Sequence, residues 1–255
     1  VYMWEFCLSS TKMEVARFIY QSLKGEAEEL NLVLTCFEQF DTFNIVVACP
    51  EEDKGRLCII LERYIIKIVC SFFKENFLDQ NLHLPTHEKI SQTAFKKALI
   101  NFDKETDFYI ISKNLELKKN LHIESFYNFK LSALREKWKE LVTLANDNSD
   151  YLIGDDAFFD LLKFLIDNLE VSESEITIFE KENGFKVLAK ENVEVNSDSL
   201  SKEGLISTLI ELSPKKINLY CEEETPLVSF LSKIFDDRIN VNYNKTMEKI
   251  ENFPH

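Results

Sequence analysis

Two sets of side chains in this chain have the types and spacing to do chemistry. In Asp155-Asp156-Ala157-Phe158-Phe159-Asp160, Asp156 and Asp160 stand four residues apart, so both carboxylates can look out from one helical turn and jointly hold a divalent cation. The plainer reading is a solvated first turn of a helix, where acids complement the positive end of the dipole. Lys215 and Lys216 follow Pro214 as a small positive spot, and Arg238 adds to it if the strands that carry these residues meet. Such a spot would bind an anion or a carboxylate at a strand edge. Asp156, Asp160, Lys215, Lys216 and Arg238 are therefore the candidate polar site, and its enzymatic use requires an acid and a base to converge in a cleft with shifted titration.

Other signals are weaker. His83 and His87 also lie four apart, but Pro85 between them opposes one shared helical face, and His122 and His255 have no evident local partner. A zinc site would need further ligands from afar. Six cysteines, at 7, 36, 49, 58, 70 and 221, include no closely spaced pair and sit among apolar neighbours. They read as small buried hydrophobes in a reducing compartment. The five glycines are too dispersed for a phosphate cradle, and no nucleophile elbow or nucleotide-binding loop is present. The expectation is no catalytic residue, no metal and no cofactor.

The chain has 255 residues, 45% of them hydrophobic, enough for a folded interior. Thirty basic residues against 44 acidic ones give a formal charge of -14, so approach to nucleic acid or an anionic membrane begins with repulsion. The richest apolar stretch, Ile59 to Cys70, is broken by Glu62, Arg63 and Lys67, well short of the roughly 20 residues of a membrane span. No basic and apolar leader opens the sequence. A cytoplasmic protein with a protein partner, no nucleic acid and no membrane span is expected.

Hydrophobic periodicity places these residues. Met3 to Leu8 is an extended apolar run, followed by Thr11 and Glu14 as a helix start with Val15, Phe18 and Ile19 on the buried stripe. Leu32–Phe37 and Phe43–Cys49 form a hairpin around Gln39 to Thr42. A long helix then runs from about Asp53 to Leu78. Thr86 caps a helix carrying Ile90, Phe95, Ala98 and Leu99, whereas residues 108–121 mix helical and extended signals. Leu131, Leu134, Trp138, Leu141 and Ala145 share one helical face, with Trp138 as core anchor. After polar punctuation at Asn146–Asp150, Phe158, Leu161, Leu162, Leu165 and Leu169 share another. Two such stripes are expected to pack together.

The last third is different. Asn183-Gly184 between Glu175–Phe179 and Phe185–Leu188 signals a hairpin turn with positive φ. A helix through Leu205–Ile210, a strand at Lys216–Tyr220, a helix through Leu227–Ile234 and a strand at Arg238–Val241 follow. The fold class is α+β: an N-terminal α/β domain with a small sheet and helices over 1–82, a central helical region over 83–170, and a C-terminal hairpin plus α/β domain over 171–255.

Several segments together resemble the YtxC family of sporulation proteins from spore-forming Gram-positive bacteria. They are Phe126-Tyr127-Asn128-Phe129-Lys130 leading into the Trp138 helix, Phe158 to Ile166, Leu205 to Ile217, and Leu227 to Ile239. The resemblance is specific from about 120 to 240. Members of that family often carry a cysteine-rich tail beyond the position of Arg238; Asn240–Asn244 holds no cysteine, so no metal or redox role is carried over to this chain. The resemblance implies a cytoplasmic role linked to endospore formation, with no established reaction. A non-enzymatic protein-interaction factor is the leading expectation; the alternative is an enzyme or small-anion binder using an interdomain polar cleft.

Overall fold

Alternation of buried residues with exposed or half-buried ones makes Met3–Ser10 a strand (β1) with Trp4, Phe6 and Leu8 on its covered face. The computed structural model describes residues 3–27, 29–84, 88–147, 155–190, 193–195 and 198–243. Pro85, Thr86, His87, Asn148–Asp150, Asn244 and His255, named above, lie outside them. After β1 come α1 (Met13–Glu26), β2 (Val33–Gln39) and β3 (Thr42–Pro50), then α2 (Lys54–Ile68), a π-helical turn at Val69–Phe73, and α3 (Lys74–Asn81). The middle of the chain forms α4 (Lys89–Asn101), α5 (Lys104–Asn114), the short β4 (Asn120–His122), α6 (Ile123–Ser125), a second π-helical turn at Phe126–Lys130, and α7 (Ser132–Asp147). The remainder is α8 (Asp155–Asp167), β5 (Glu175–Lys181), β6 (Gly184–Leu188), α9 (Lys202–Leu212), β7 (Lys216–Cys221), α10 (Pro226–Phe235) and β8 (Ile239–Tyr243). The protein is α+β, with a small sheet and helices first, helices in the middle and a sheet with helices last.

Contacts gather the chain into two compact units, residues 1–82 with 103–145, and residues 83–102 with 146–255. In the first, the sheet order is β2-β3-β1-β4, antiparallel except for the parallel pair β1 and β4. One face of that sheet buries Trp4, Phe6, Leu8, Ile45, Val47 and Cys49 in one core with Val15, Ile19 and Leu23 of α1 and Leu57, Leu61 and Ile65 of α2. On the other face Met3, Val33 and Phe37 remain exposed. The helix start differs from the expected Thr11 cap: Ser10 Oγ accepts from the Lys12 N–H at 3.0 Å, and α1 begins at Met13. The mixed signals of 108–121 resolve into α5 and β4, a strand too short to announce itself by periodicity.

The second unit carries a sheet of order β6-β5-β7-β8, in which β5, β7 and β8 are parallel and β6 is antiparallel. Ile176, Ile178, Phe185, Val187, Ile217 and Leu219 alternate into its core. Local chemistry sets the helix starts: Ser201 Oγ accepts from the Gly204 N–H at 3.1 Å, and Thr225 Oγ1 from the Val228 N–H at 3.3 Å, with Pro226 opening α10. The stripes of α7 and α8 each find partners within their own unit, α7 through Leu134 and Trp138 in the first core, α8 against α4 and α10.

The two hairpins exchange their expected turn chemistry. At β5–β6 the register Lys181↔Gly184 makes Glu182 and Asn183 the turn residues. Gly184, just after them, takes φ +132°, and a Cβ there would sit 2.3 Å from the Leu200 carbonyl oxygen. The left-handed two-residue turn occurs instead at β2–β3, where Phe40 and Asp41 take φ 50° and 55°. An aromatic residue in that region is sterically costly, whereas Asn and Gly occupy it readily. Replacing Phe40-Asp41 by Asn-Gly is expected to raise the chemical-denaturation stability by about 0.5–1 kcal/mol. Gly184→Val should lower stability by more than about 2 kcal/mol and abolish hydrogen-exchange protection of the Phe185 amide, which bonds to Leu200 O at 2.9 Å.

Candidate functional site

The five residues singled out from the sequence lie on the second unit. Asp156, in the first turn of α8, reaches Lys233 Nζ of α10 at 3.3 Å while 97% of its side chain stays exposed. Lys233 in turn stands over the Phe159 ring at 3.8 Å from its centroid. Asp160, one turn along, is exposed. Lys215 is exposed, and its backbone N–H donates to the Glu173 carbonyl at 3.2 Å. Lys216 pairs with Glu175 Oε1 at 2.9 Å, an oxygen that also accepts from Asn218 Nδ2 at 2.7 Å. These two bonds hold the Glu175 carboxyl below the usual range. Arg238 donates to Asp167 Oδ1 at 2.8 Å and lies over the Phe235 ring. Thus Arg238 and Lys216 are each matched to a neighbouring acid. Among the described residues no hydrogen bond or ion pair joins one of the five to another, and no group of three or more His, Cys, Asp and Glu side chains is arranged to hold a metal ion.

The densest polar arrangement is one that sequence reasoning missed, inside the first unit. Lys74, the first residue of α3, is buried with Asp107 of α5, and Lys74 Nζ lies 2.7 Å from Asp107 Oδ2. That oxygen also accepts from Trp138 Nε1 at 3.1 Å, while Oδ1 accepts from Lys137 Nζ at 2.9 Å. Lys137 extends the network to Asp103 Oδ2 at 2.5 Å. Two lysines and two aspartates form a charge-balanced set joining α3, α5 and α7. Lys74 is 5.8 Å from the centroid of the Trp138 ring, adding a cation–π contact.

Aromatic packing encloses this network. Phe73, ending one π-helical turn, stacks on Tyr127 of the other with centroids 4.5 Å apart. Phe77 and Tyr127 both lie against Trp138, and Arg135 covers Tyr127 while bonding to the Asn128 carbonyl at 2.7 Å. Burial pushes the Lys74 ammonium below its ordinary range against the opposing pull of Asp107. Burial, then the Asp107 charge, pushes the Cys70 thiol up to about 12, which keeps it protonated and unreactive. A lysine with lowered affinity for its proton can act as a nucleophile in an open site, but Lys74 is 1% exposed and already bonded. This arrangement ties helices together; it offers no reacting group to a ligand. The sequence did carry a signal: Cys70, Lys74 and Leu78, like Asp107 and Ile111, are spaced four apart, so each charge occupies a place in a buried stripe.

Comparison with known proteins then fixes the family. Residues 74–240 match the YtxC-like family. The chain belongs to that family. The match begins at Lys74 and includes Asp107, Lys137 and Trp138, so the whole buried network lies within it, whereas β1, α1, β2, β3 and α2 precede it. No curated protein and no solved structure matches the chain. Among the described residues no helix is long and apolar enough to cross a membrane.

Two expectations follow from the network. Asp107→Ala should cost about 3–5 kcal/mol by taking the carboxylate away from the buried Lys74 ammonium, while Lys74→Met combined with Asp107→Leu should cost clearly less than the sum of the single changes, as a double-mutant cycle by urea denaturation will measure. Burial raises the Asp103 carboxyl, but its bonds from Lys137 and Thr106 prevail and hold it low. Burial lowers Lys137, but its bonds to Asp103 and Asp107 prevail and hold it high. The stability from this outer pair should therefore be present between about pH 4 and about pH 10. It falls away as pH drops through the lowered Asp103 value and as pH rises through the raised Lys137 value. Lys137→Met should remove both shoulders from the urea midpoint against pH.

Proposed function

We propose that this chain is a cytoplasmic, sporulation-associated protein that acts by binding another protein and not by catalysis. Membership in the YtxC-like family supports the process. The observation that carries the mode of action is Phe129, which is 80% exposed on the π-helical turn at Phe126–Lys130 while Phe126 beside it is buried. Burial of such a ring against a partner removes a large apolar area from water, and aromatic residues of this kind anchor protein interfaces. Leu144 on α7 and Phe164 on α8 are likewise exposed, at 63% and 57%. The formal charge of -14 weighs against nucleic acid as the partner.

The test is affinity purification of the tagged chain and of Phe129→Ser from cells entering sporulation, with mass spectrometry of the co-purifying proteins. A stoichiometric protein recovered with the parent chain and lost with Phe129→Ser, at equal stability of the two, is the expected result. A bare monomer from both would contradict the reading.

A further inference from the structure

β2 forms an outer edge of the first sheet, and no described strand pairs with its free side. Along its seven residues only Leu34 is part-buried and the rest are exposed. Its register with β3 runs without a bulge from Val33↔Ala48 to Gln39↔Thr42, and it contains neither Lys nor Pro. Bulges, Lys and Pro are among the devices that ordinarily block an edge from pairing, and the strand's one charged residue is Glu38.

Hydrogen bonding within the sheet decides which backbone groups are free. The Cys7 N–H donates to the Lys119 carbonyl at 2.9 Å, so Cys7 turns its backbone toward β4. Val46, its partner in β3, therefore turns away from β1 toward β2, where it opposes Thr35. Alternation then sends Val33, Thr35 and Phe37 into the β3 ladder and leaves the N–H and C=O of Leu34, Cys36 and Glu38 pointing outward. This is a regular, unspent set of donors and acceptors.

Charge says which partner fits it. From Gly25 through Asp53 the chain has eight acidic residues and no basic one. Arg63, Lys54 and Arg56 are paired with acids off the strand, Glu26, Glu51 and Asp53. Glu29 near the start of β2, Glu38 within it and Asp41 beyond it are exposed, and among the described residues no ion pair joins them to a base. Two copies of this chain meeting edge to edge would bring like charges together. At the tip, Phe40 is 91% exposed in a left-handed conformation that favours Asn or Gly. Such strain marks positions held for contact more often than for stability.

We infer that the free edge of β2 takes up an extended segment of a partner protein as an added strand, and that this segment alternates basic and apolar residues. Its basic side chains fall beside Glu38 on the helix-covered side of the sheet, and its apolar ones beside Val33 and Phe37 on the open side. Phe40 closes over the segment's end. The inference rests on the protein-binding reading above and names a second contact for it, outside the family-matched residues.

The experiment uses the full chain and a labelled peptide of about eight residues alternating Lys and Val, with a Glu and Val peptide as control. The Lys/Val peptide should bind, more weakly as salt rises, and should slow hydrogen exchange at Leu34, Cys36 and Glu38; the Glu/Val peptide should not. Cys36→Pro removes an outward N–H without touching the β3 ladder, so it should fold with an unchanged thermal midpoint and lose peptide binding at least about tenfold. Glu38→Lys combined with Asp41→Lys should weaken the Lys/Val peptide at least about tenfold. Equal binding by Cys36→Pro, no binding by the parent chain, or a dimer of the parent chain that Cys36→Pro dissociates would each overturn the assignment. A cellular partner recovered equally well by Cys36→Pro would also overturn it and leave the protein-binding reading intact. Peptide binding as described, with no cellular partner found, would instead strike at that reading.

Discussion

A carboxylate removed from water needs donors in place of its hydration, and Asp107 of the first unit is met by three. Lys74, Lys137 and Trp138 approach its two oxygens from α3 and α7. Each bond is directional, so the three helices are fixed in rotation as well as in distance. A purely apolar contact at this point would supply comparable stability without directional bonds. The neighbouring π-helical turns at Val69–Phe73 and Phe126–Lys130 are consistent with that demand. Each adds a residue to a helical turn and so re-aims the next segment of chain, Lys74 in one case and the start of α7 in the other.

Once this network is in place, the exposure of other residues acquires meaning. Phe73, Phe77, Tyr127 and Trp138 are spent on enclosing it. Phe129, from the same turn that supplies Tyr127, is left outside. An apolar ring is thereby held in water beside a packed aromatic cluster, which is what the proposed role of Phe129 as an anchor requires. The N-terminal edge strand belongs to the same unit and offers a different chemistry, backbone hydrogen bonds within an acidic surround. One contact would bring apolar area and the other register and charge selectivity.

Much of this architecture was legible in the sequence, for a physical reason: amphipathic stripes and strand alternation report burial directly. The β7, α10 and β8 succession followed from Lys216–Tyr220, the apolar stripe of Leu227–Ile234 and Arg238–Val241. The paired character of Lys74 and Asp107 was not legible, because their partners are 33 residues apart and a charge within a stripe reads equally well as a break in it. β4 escaped notice because three residues define no period, and its parallel pairing with β1 joins positions 112 or more residues apart. Asn183-Gly184 correctly announced a hairpin but misplaced its turn by one residue, since Gly184 answers to the approach of Leu200. Asp156 drew attention by its spacing from Asp160, and Lys216 and Arg238 by their type; each is bonded to a neighbour that spacing along the chain could not name.

The central claim is that Asp107 is the lock of the first unit, and the indole N–H of Trp138 reports on it directly. Native-state hydrogen exchange of that proton, followed by NMR across low urea concentrations, is the decisive measurement. If the lock opens only when the unit unfolds, the indole N–H will exchange with the free energy and urea dependence of global unfolding. Exchange that is fast and independent of urea would mean that the bond to Asp107 opens locally, and the account would fail.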